Sequence, residues 1–189
     1  MAGKVFIVSA PSGAGKSTLV KAMLGRFDKF AFSISATTRL ARSYETEGVH
    51  YYFLSLEEFL ARKDKDEFIE TEEVYEGRWY GTLRSEVDRI HGEDKMPIFD
   101  VDVEGGLKIK EQYGEQAIAF FIQPPRQEIL LERLRNRGSD DQSEIDRRYA
   151  KARHELSYAE RFDHIIVNDD LDTAIEEMAQ LIEQELTHA

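Results

Sequence analysis

Hydrophobic positions along the chain fall into short apolar runs that are separated by longer amphipathic stretches. The apolar runs predict buried strands at 4–9, 30–35, 97–103, 118–122 and 165–167. Apolar residues at helical spacing predict helices at 17–27, 55–60, 83–91, 129–137, 144–161 and 171–186. Residues 36–54 are polar and typical of turns, and residues 67–83 are mixed and rich in tyrosine.

The alternation of strands and helices predicts an α/β fold, with a largely parallel sheet and helices on both of its faces. The 189 residues suit one domain with a substantial core. We find no internal repeat, no low-complexity segment and no linker long enough to divide the chain into independent domains.

Charge and composition narrow the classes of partner. The net charge of −12 argues against a nucleic-acid-binding surface, although a few arginines in a cleft can still hold a small anion. The absence of cysteine excludes disulfides and thiolate metal sites. No apolar run approaches the roughly 20 residues of a membrane helix, and the N-terminal residues do not resemble a signal peptide. We therefore expect a cytoplasmic protein without nucleic-acid or membrane partners.

A glycine-rich segment directly after the first strand matches the pattern G-x-x-x-x-G-K-[ST], with Ala10 in place of the first glycine. In this pattern backbone N–H groups and a helix N-terminus surround phosphate oxygens, the lysine reaches the outer phosphates and the following hydroxyl binds Mg²⁺. The predicted phosphate-binding residues are Ser12, Gly13, Ala14, Gly15, Lys16, Ser17 and Thr18. The loop alone leaves ATPase, GTPase and kinase functions open.

The strand predicted at 97–103 ends in carboxylates, and Asp100 is the first of them, directly after Phe99. Proteins with this type of loop place a carboxylate there to support Mg²⁺, so we predict that Ser17 and Asp100 serve the metal, Asp100 through a water molecule. A carboxylate that only caps a turn is the alternative interpretation.

The chain as a whole resembles the guanylate kinases, and most closely the bacterial ones. The resemblance rests on the segments SAPSGAGKST, FSISATTRLAR, GVHYYF, EFIE, RWYGT, FDVDVEGG, QPPRQEILLERLRNRG and IIVNDDL. It implies a P-loop NTPase-type sheet with an inserted GMP-binding region and a helical lid. The implied division is a core of 1–34, 85–125 and 158–189, a GMP-binding region of 35–84 and a lid of 126–157.

The implied reaction is Mg²⁺-dependent transfer of the γ-phosphoryl group of ATP to GMP, and to dGMP, giving ADP and GDP in purine nucleotide metabolism. ATP and GMP are then the small-molecule partners, with Mg²⁺ as the cofactor, in a monomer or homodimer.

The resemblance also assigns the acceptor phosphate. Arginine forks bind phosphate in a bidentate manner and hydroxyls add neutral donors. The residues implied to hold the GMP phosphate are Ser35, Arg39, Arg42, Tyr51 and Tyr80. From the residues alone, the two arginines could equally be solvated charges in a polar loop.

The guanine base is assigned to two carboxylates and a hydroxyl. A carboxylate accepts hydrogen bonds from the N1–H and N2 amino donors of guanine, and adenine has no donors at those positions. The resemblance implies this role for Glu70, with Thr82 near O6 and Asp102 as a second carboxylate near the base. The alternative for Glu70 is a surface acid in an acid-rich segment. The segment departs from many family members, which have tryptophan where Thr71 stands.

The lid arginines implied by the resemblance are Arg133, Arg137 and Arg148, which join Lys16 and Arg39 as the catalytic cations. Charge on a mobile lid can stabilise a transferring phosphoryl group once both substrates are bound. Spacing alone also fits a solvated basic helix.

Two other functions compete with this interpretation. A non-catalytic guanylate-kinase-like binding module tends to lose loop and lid residues, whereas Lys16, Ser17 and the lid arginines are present here. A P-loop kinase for another phosphorylated acceptor would not need Glu70, Thr82 and Asp102 together.

Overall fold

A computed structural model of the protein describes residues 3–136 and 142–187. Its strands are β1 (Val5–Ser9), β2 (Phe30–Phe32), β3 (Ala36–Thr37), β4 (Tyr52–Phe53), β5 (Phe68–Tyr75), β6 (Arg78–Leu83), β7 (Met96–Asp100), β8 (Ala117–Gln123) and β9 (His164–Val167). Its α-helices are α1 (Lys16–Arg26), α2 (Leu56–Asp64), α3 (Arg84–Gly92), α4 (Val103–Tyr113), α5 (Gln127–Asn136), α6 (Gln142–Leu156) and α7 (Leu171–Thr187).

The central sheet is parallel and has the strand order β2–β7–β1–β8–β9. Its middle strand β1 is buried along its whole length, as expected for a strand covered on both faces. Val5 and Ile7 point into one core cluster, and Phe6 and Val8 point into the other. The sequence prediction of a largely parallel α/β sheet is therefore confirmed.

The two faces of this sheet carry different helices. Buried residues of α1 and α7 pack with Phe6 and Val8. Buried residues of α3 and α4 pack on the opposite face with Val5 and Ile7. Since α1 and α4 leave their strands toward opposite faces, a crevice opens between the carboxyl ends of β1 and β7, where α/β proteins bind ligands.

A second, smaller sheet has the order β4–β3–β6–β5 and lies in the segment that connects β2 to α3. β5 and β6 form an antiparallel hairpin, and Phe59 from α2 stacks on Phe68 with 4.5 Å between ring centroids. Ser55 caps α2 in a reciprocal pair of hydrogen bonds with Glu58.

The structure corrects several predicted bounds. The predicted turn region 36–54 contains β3 and β4, and the mixed segment 67–83 forms the β5–β6 hairpin. The strand predicted at 97–103 ends at Asp100, and Asp102 caps α4, a helix that the apolar pattern did not indicate. The helix predicted at 144–161 ends at Leu156, and a 3₁₀ turn follows at Ala159–Arg161.

α5 and α6 pack against each other beside the open end of the central sheet. One face of helix α6 packs into the core: Ile145 and Ala152 are buried, and Tyr149 and Leu156 pack against the core cluster. Within the described residues, none of the helices combines the length and the apolar character that crossing a bilayer requires.

Candidate active site

A cavity of about 410 Å³ lies at the carboxyl ends of β1 and β7. The glycine-rich loop forms one wall. The other is formed by Glu70 and Tyr80 of the second sheet and by Ser35 and Tyr51, which directly precede β3 and β4. Helix α6 closes a third side with Arg148, Lys151 and Glu155. Most of the residues predicted from sequence for two separate ligands therefore face a single cavity.

The glycine-rich loop has the backbone that its sequence requires. Gly13 and Gly15 have φ angles of 93° and 96°, in the left-handed region that favours glycine. A Cβ on Gly15 would lie 2.3 Å from Nδ2 of Asn168, which donates a 2.7 Å hydrogen bond to the Ala14 carbonyl. Ala10, the departure from the motif, is buried in the core.

The Lys16 side chain is held at the carboxyl end of β7. Its Nζ lies 2.7 Å from Oδ1 of Asp100 and donates a 2.6 Å hydrogen bond to the Val101 carbonyl. Ser17 is exposed at the start of α1. Among the described side chains, no group of three or more His, Cys, Asp or Glu residues is arranged to hold a metal ion.

Glu70 is a buried carboxylate on β5, with 8% of its surface exposed. Its Oε1 accepts a 2.9 Å hydrogen bond from the hydroxyl of Thr82, the residue directly opposite on β6. Burial raises the pKa of Glu70 to about 7, the Thr82 hydrogen bond opposes this rise, and the nearby Asp102 charge adds to it.

Asp102 lies beside Glu70 at the start of α4. Its Oδ1 accepts a 2.9 Å hydrogen bond from the Gly105 amide, and its Oδ2 lies 3.3 Å from Nζ of Lys151. A Cβ on Gly105 would lie 3.0 Å from Oδ1 of Asp102 and 3.1 Å from Oε2 of Glu70. The glycine therefore leaves room for two carboxylates at the same end of the cavity.

Arg39 is fixed by a carboxylate that sequence reasoning did not single out. Its Nη1 and Nη2 atoms each lie 2.6 Å from an oxygen of Glu45. The Glu45 carboxylate also accepts a 2.8 Å hydrogen bond from the Arg42 amide. The guanidinium lies 4.8 Å from the ring centroid of Tyr51. The Arg42 side chain is exposed and donates to the Tyr44 hydroxyl, so it does not line the cavity.

The lid predictions are covered only in part. Arg148 lines the cavity from α6. The side chain of Arg133 and the whole of Arg137 lie outside the described residues. Arg148, Lys151 and Glu155 share one face of the helix, which adjoins the face that packs into the core.

Sequence reasoning missed several residues of this site, namely Glu45, Lys151, Glu155 and Asn168. The first three are charged residues among many others, and no local pattern distinguishes them. Asn168 had a positional signal, because it follows β9 at the edge where all carboxyl ends of a parallel sheet meet.

A family model described as guanylate kinase matches residues 2–185 of the chain. The chain belongs to the guanylate kinase family. It is accordingly an enzyme of the nucleoside monophosphate kinase class, a group of transferases.

Individual relatives agree with the family match. The chain is 47% identical to a guanylate kinase of Bacteroides thetaiotaomicron, over 97% of this chain and 90% of that protein. It is 50% identical to a guanylate kinase of Porphyromonas gingivalis, over 96% of this chain and 97% of that one. The crystal structure of guanylate kinase from Anaplasma phagocytophilum aligns with a TM-score of 0.74 at 30% identity, covering 97% of this guanylate kinase chain and 86% of that one.

Proposed function

We propose that this protein transfers the γ-phosphoryl group of Mg-bound ATP to GMP, and to dGMP, giving ADP and the guanosine diphosphate. The observation that carries the proposal is the shared cavity, in which the glycine-rich loop faces Glu70, a buried carboxylate that accepts a hydrogen bond from Thr82. Phosphoryl transfer needs donor and acceptor side by side, and mainly requires positioning and charge stabilisation. Supply of guanosine diphosphate would give the enzyme its role in purine nucleotide metabolism.

The donor phosphates belong at the glycine-rich loop in this proposal. Backbone amides from Ser12 to Thr18 and the N-terminus of α1 favour anions. Lys16, which is paired with Asp100 in this structure, would exchange that carboxylate for the outer phosphates of ATP. The catalytic contribution of Lys16 is then to stabilise charge on the transferring group.

Mg²⁺ fits the oxygen donors at this position. The Ser17 hydroxyl and the Asp100 carboxylate are hard ligands of the kind that Mg²⁺ prefers together with phosphate oxygens and water. We propose that Ser17 holds the ion and that Asp100 does so through water. The ion would neutralise charge on the ATP phosphates.

Glu70, Thr82 and Asp102 are proposed to hold the acceptor base. Two adjacent carboxylates can accept the N1–H and N2 donors of guanine, while a base without these donors leaves buried acceptors unpaired. A site built on such hydrogen bonds rejects the wrong partner by roughly 10⁴-fold or more. The Thr82 hydroxyl would turn toward O6 of guanine.

Ser35, Arg39, Arg42, Tyr51 and Tyr80 are proposed to bind the acceptor phosphate. Arg39 and Tyr51 support this assignment because they already lie in contact. Arg42 would have to leave the Tyr44 hydroxyl to reach the phosphate. The proposed GMP-binding region, 35–84, includes the whole of the second sheet.

The proposed lid, residues 126–157, carries the remaining cations. Arg148 already faces the cavity. We propose that Arg133 and Arg137 join it when both substrates are bound, so that positive charge surrounds the transferring group and water is excluded. The core of the proposed division is 1–34, 85–125 and 158–189.

A coupled assay of ADP release tests the proposal. Mg-ATP is supplied with GMP, dGMP, AMP, CMP or UMP in separate reactions, and initial rates are measured over a range of acceptor concentrations. We expect rapid turnover with GMP and dGMP and values of kcat/KM at least roughly 10³-fold lower with the other acceptors. Efficient turnover of AMP or a pyrimidine nucleotide would contradict the assignment of Glu70 and Asp102 to guanine.

A further inference from the structure

Helix α6 presents three charged side chains to the cavity, Arg148, Lys151 and Glu155. Arg148 is one of the proposed lid arginines, but neither Lys151 nor Glu155 has a part in the function proposed above. The three lie at positions i, i+3 and i+7, so they form one continuous stripe on the helix. The adjoining face of the helix is anchored in the core through Ile145 and Ala152.

Lys151 joins this stripe to the acceptor side of the cavity. Its Nζ lies 3.3 Å from Oδ2 of Asp102 and 3.8 Å from Oε1 of Glu155. The second oxygen of Asp102 is taken by the Gly105 amide at the start of α4. The Asp102 carboxylate is therefore held between two elements, α4 through Gly105 and α6 through Lys151.

Glu155 joins the same stripe to the donor side. Its side chain is only 7% exposed, and its surroundings include Lys16 and the backbone amide of Ser12 in the glycine-rich loop. Burial raises the pKa of Glu155 to about 7, while Lys151 favours the charged form. Helix α6 thus contacts both halves of the cavity through two neighbouring side chains.

An ordinary ion pair at a surface contributes little to stability. The pair between Lys151 and Asp102 differs from that case because both partners line the cavity and their side chains are only 31% and 22% exposed. Asp102 is a proposed ligand of the acceptor base, and Lys151 lies one helical turn from Arg148. The position of this ion pair suits a role in substrate binding better than a role in stability.

We propose that Lys151 is a positioning residue, which orients Asp102 toward the acceptor base and ties helix α6, and with it Arg148, to the occupied acceptor site. This inference rests on the proposed function, since it takes GMP as the acceptor. Binding of the base to Asp102 strengthens the link to α6, and the helix in turn holds the carboxylate in place for the base.

The experiment measures GMP affinity by titration calorimetry and kinetics for the wild-type protein, Lys151→Met and Lys151→Arg. We expect Lys151→Met to weaken GMP binding roughly tenfold, as for loss of a hydrogen bond to a charged group. The KM for ATP should change less than about twofold, because Lys151 lies 3.3 Å from Asp102 on the acceptor side and farther, 3.8 Å, from Glu155 on the donor side. Lys151→Arg should recover most of the loss, since it keeps a cation at the same position.

Lys110→Met is the matched control. Lys110 forms an ion pair with Asp163 at 2.6 Å, its side chain is 27% exposed, and it does not line the cavity. This variant should bind GMP like the wild type. If it weakened GMP binding as much as Lys151→Met, loss of any half-buried cation would explain the result and the proposal would fall.

A double-mutant cycle with Asp102→Asn tests whether Lys151 acts through that carboxylate. We expect Lys151→Met to weaken GMP binding by less than about twofold in the Asp102→Asn background, because the partner has lost its charge. Additive losses would overturn the proposal, as would unchanged GMP binding in Lys151→Met alone. A wild-type protein that binds GMP through Lys151 without turning it over would overturn the kinase proposal and leave this inference standing.

Discussion

Glu70 is buried at an unfavourable position for a carboxylate, and its proposed role in binding guanine explains why it lies there. Burial makes its ionised form unfavourable in the free protein and raises the pKa to about 7, and the charges facing it are Asp102, Glu72 and Lys108. Guanine donors would restore hydrogen bonds to that carboxylate. Such a site gives up stability in the free protein for specificity in the complex.

Glu70→Gln should therefore stabilise the free protein and damage its activity. With a folded pKa raised above the ordinary 4.5, the contribution of Glu70 to stability is present below pH 4.5 and lost as the pH rises through about 7. We expect the variant to gain about 1–3 kcal/mol in free energy of unfolding at pH 8. The gain should shrink toward pH 5, and kcat/KM for GMP should fall at least roughly 100-fold. Thermal and urea unfolding at the two pH values and GMP kinetics measure these effects.

Glu73→Gln is the matched control for this prediction. Glu73 lies on the same strand, is exposed and accepts a hydrogen bond from the Gly77 amide. It should show neither the stability gain nor the loss of GMP use. A Glu70→Gln protein that is less stable than the wild type at pH 8 would contradict the account of a penalised carboxylate.

Substitution of Glu45 should also affect the use of GMP more than the use of ATP. Hydrogen bonds from Arg39 lower the pKa of Glu45 to about 2, so the carboxylate stays ionised and keeps the guanidinium in place. We expect Glu45→Gln to raise the KM for GMP roughly tenfold, with little change in the KM for ATP. Steady-state kinetics with each substrate varied in turn provides the measurement.

Glu47→Gln offers the comparison for Glu45. Glu47 lies in the same segment, and its carboxylate accepts a hydrogen bond from the Phe53 amide instead of binding an arginine side chain. Equal effects of the two substitutions on GMP would show that net charge in the segment matters more than the fixed orientation of Arg39.

At the scale of elements, Glu86 connects α3 to the second sheet. Its Oε1 accepts a 3.0 Å hydrogen bond from the Ile34 amide, its Oε2 accepts a 2.9 Å bond from the Tyr52 hydroxyl, and Arg89 binds both oxygens. Burial alone would raise the pKa of Glu86, but these hydrogen bonds outweigh burial and lower it. One carboxylate thus joins α3, β4 and the chain that leaves the central sheet.

Glu86→Gln should weaken this junction by about 2 kcal/mol at pH 7, because buried donors lose a charged acceptor. Since the folded pKa lies below the ordinary 4.5, the stability from Glu86 is present above pH 4.5 and is lost as the pH falls through the folded pKa. The difference in free energy of unfolding between variant and wild type, measured with urea, should therefore become smaller at acidic pH. Glu93→Gln, which removes the half-exposed partner of Arg89 at 2.7 Å, should cost much less. Equal losses from both substitutions would contradict the role of Glu86 as a junction.

Elements with a strong hydrophobic period were predictable from sequence, and those shaped by distant partners were not. The inner strands β1 and β8 are short apolar runs because both of their faces are covered, and α7 has a regular apolar stripe. β3 and β4 have two residues each, too few to show a period, and exist because they pair with other strands. β5 alternates poorly because its inward-facing residues include Glu70, a buried acid.

For the whole molecule, the acidic balance and the proposed binding of two polyanions are compatible. Anions are favoured locally by backbone amides of the glycine-rich loop and by cations that line the cavity, such as Lys16 and Arg148, and not by net charge. The glycine-rich loop was predictable because its motif consists of consecutive residues in the sequence. Residues such as Lys151 and Glu155 were not, since only the packing of α6 against the core brings them to the cavity.

The most direct test of the central claim is a competition experiment in one vessel. The wild-type protein receives Mg-ATP with equal concentrations of GMP, AMP, CMP and UMP, and the nucleoside diphosphates are separated by ion-exchange chromatography as the reaction proceeds. The account predicts that GDP and ADP form in equal amounts, without CDP or UDP. Formation of CDP or UDP, or of ADP in excess of GDP, would contradict a kinase whose cavity selects guanine.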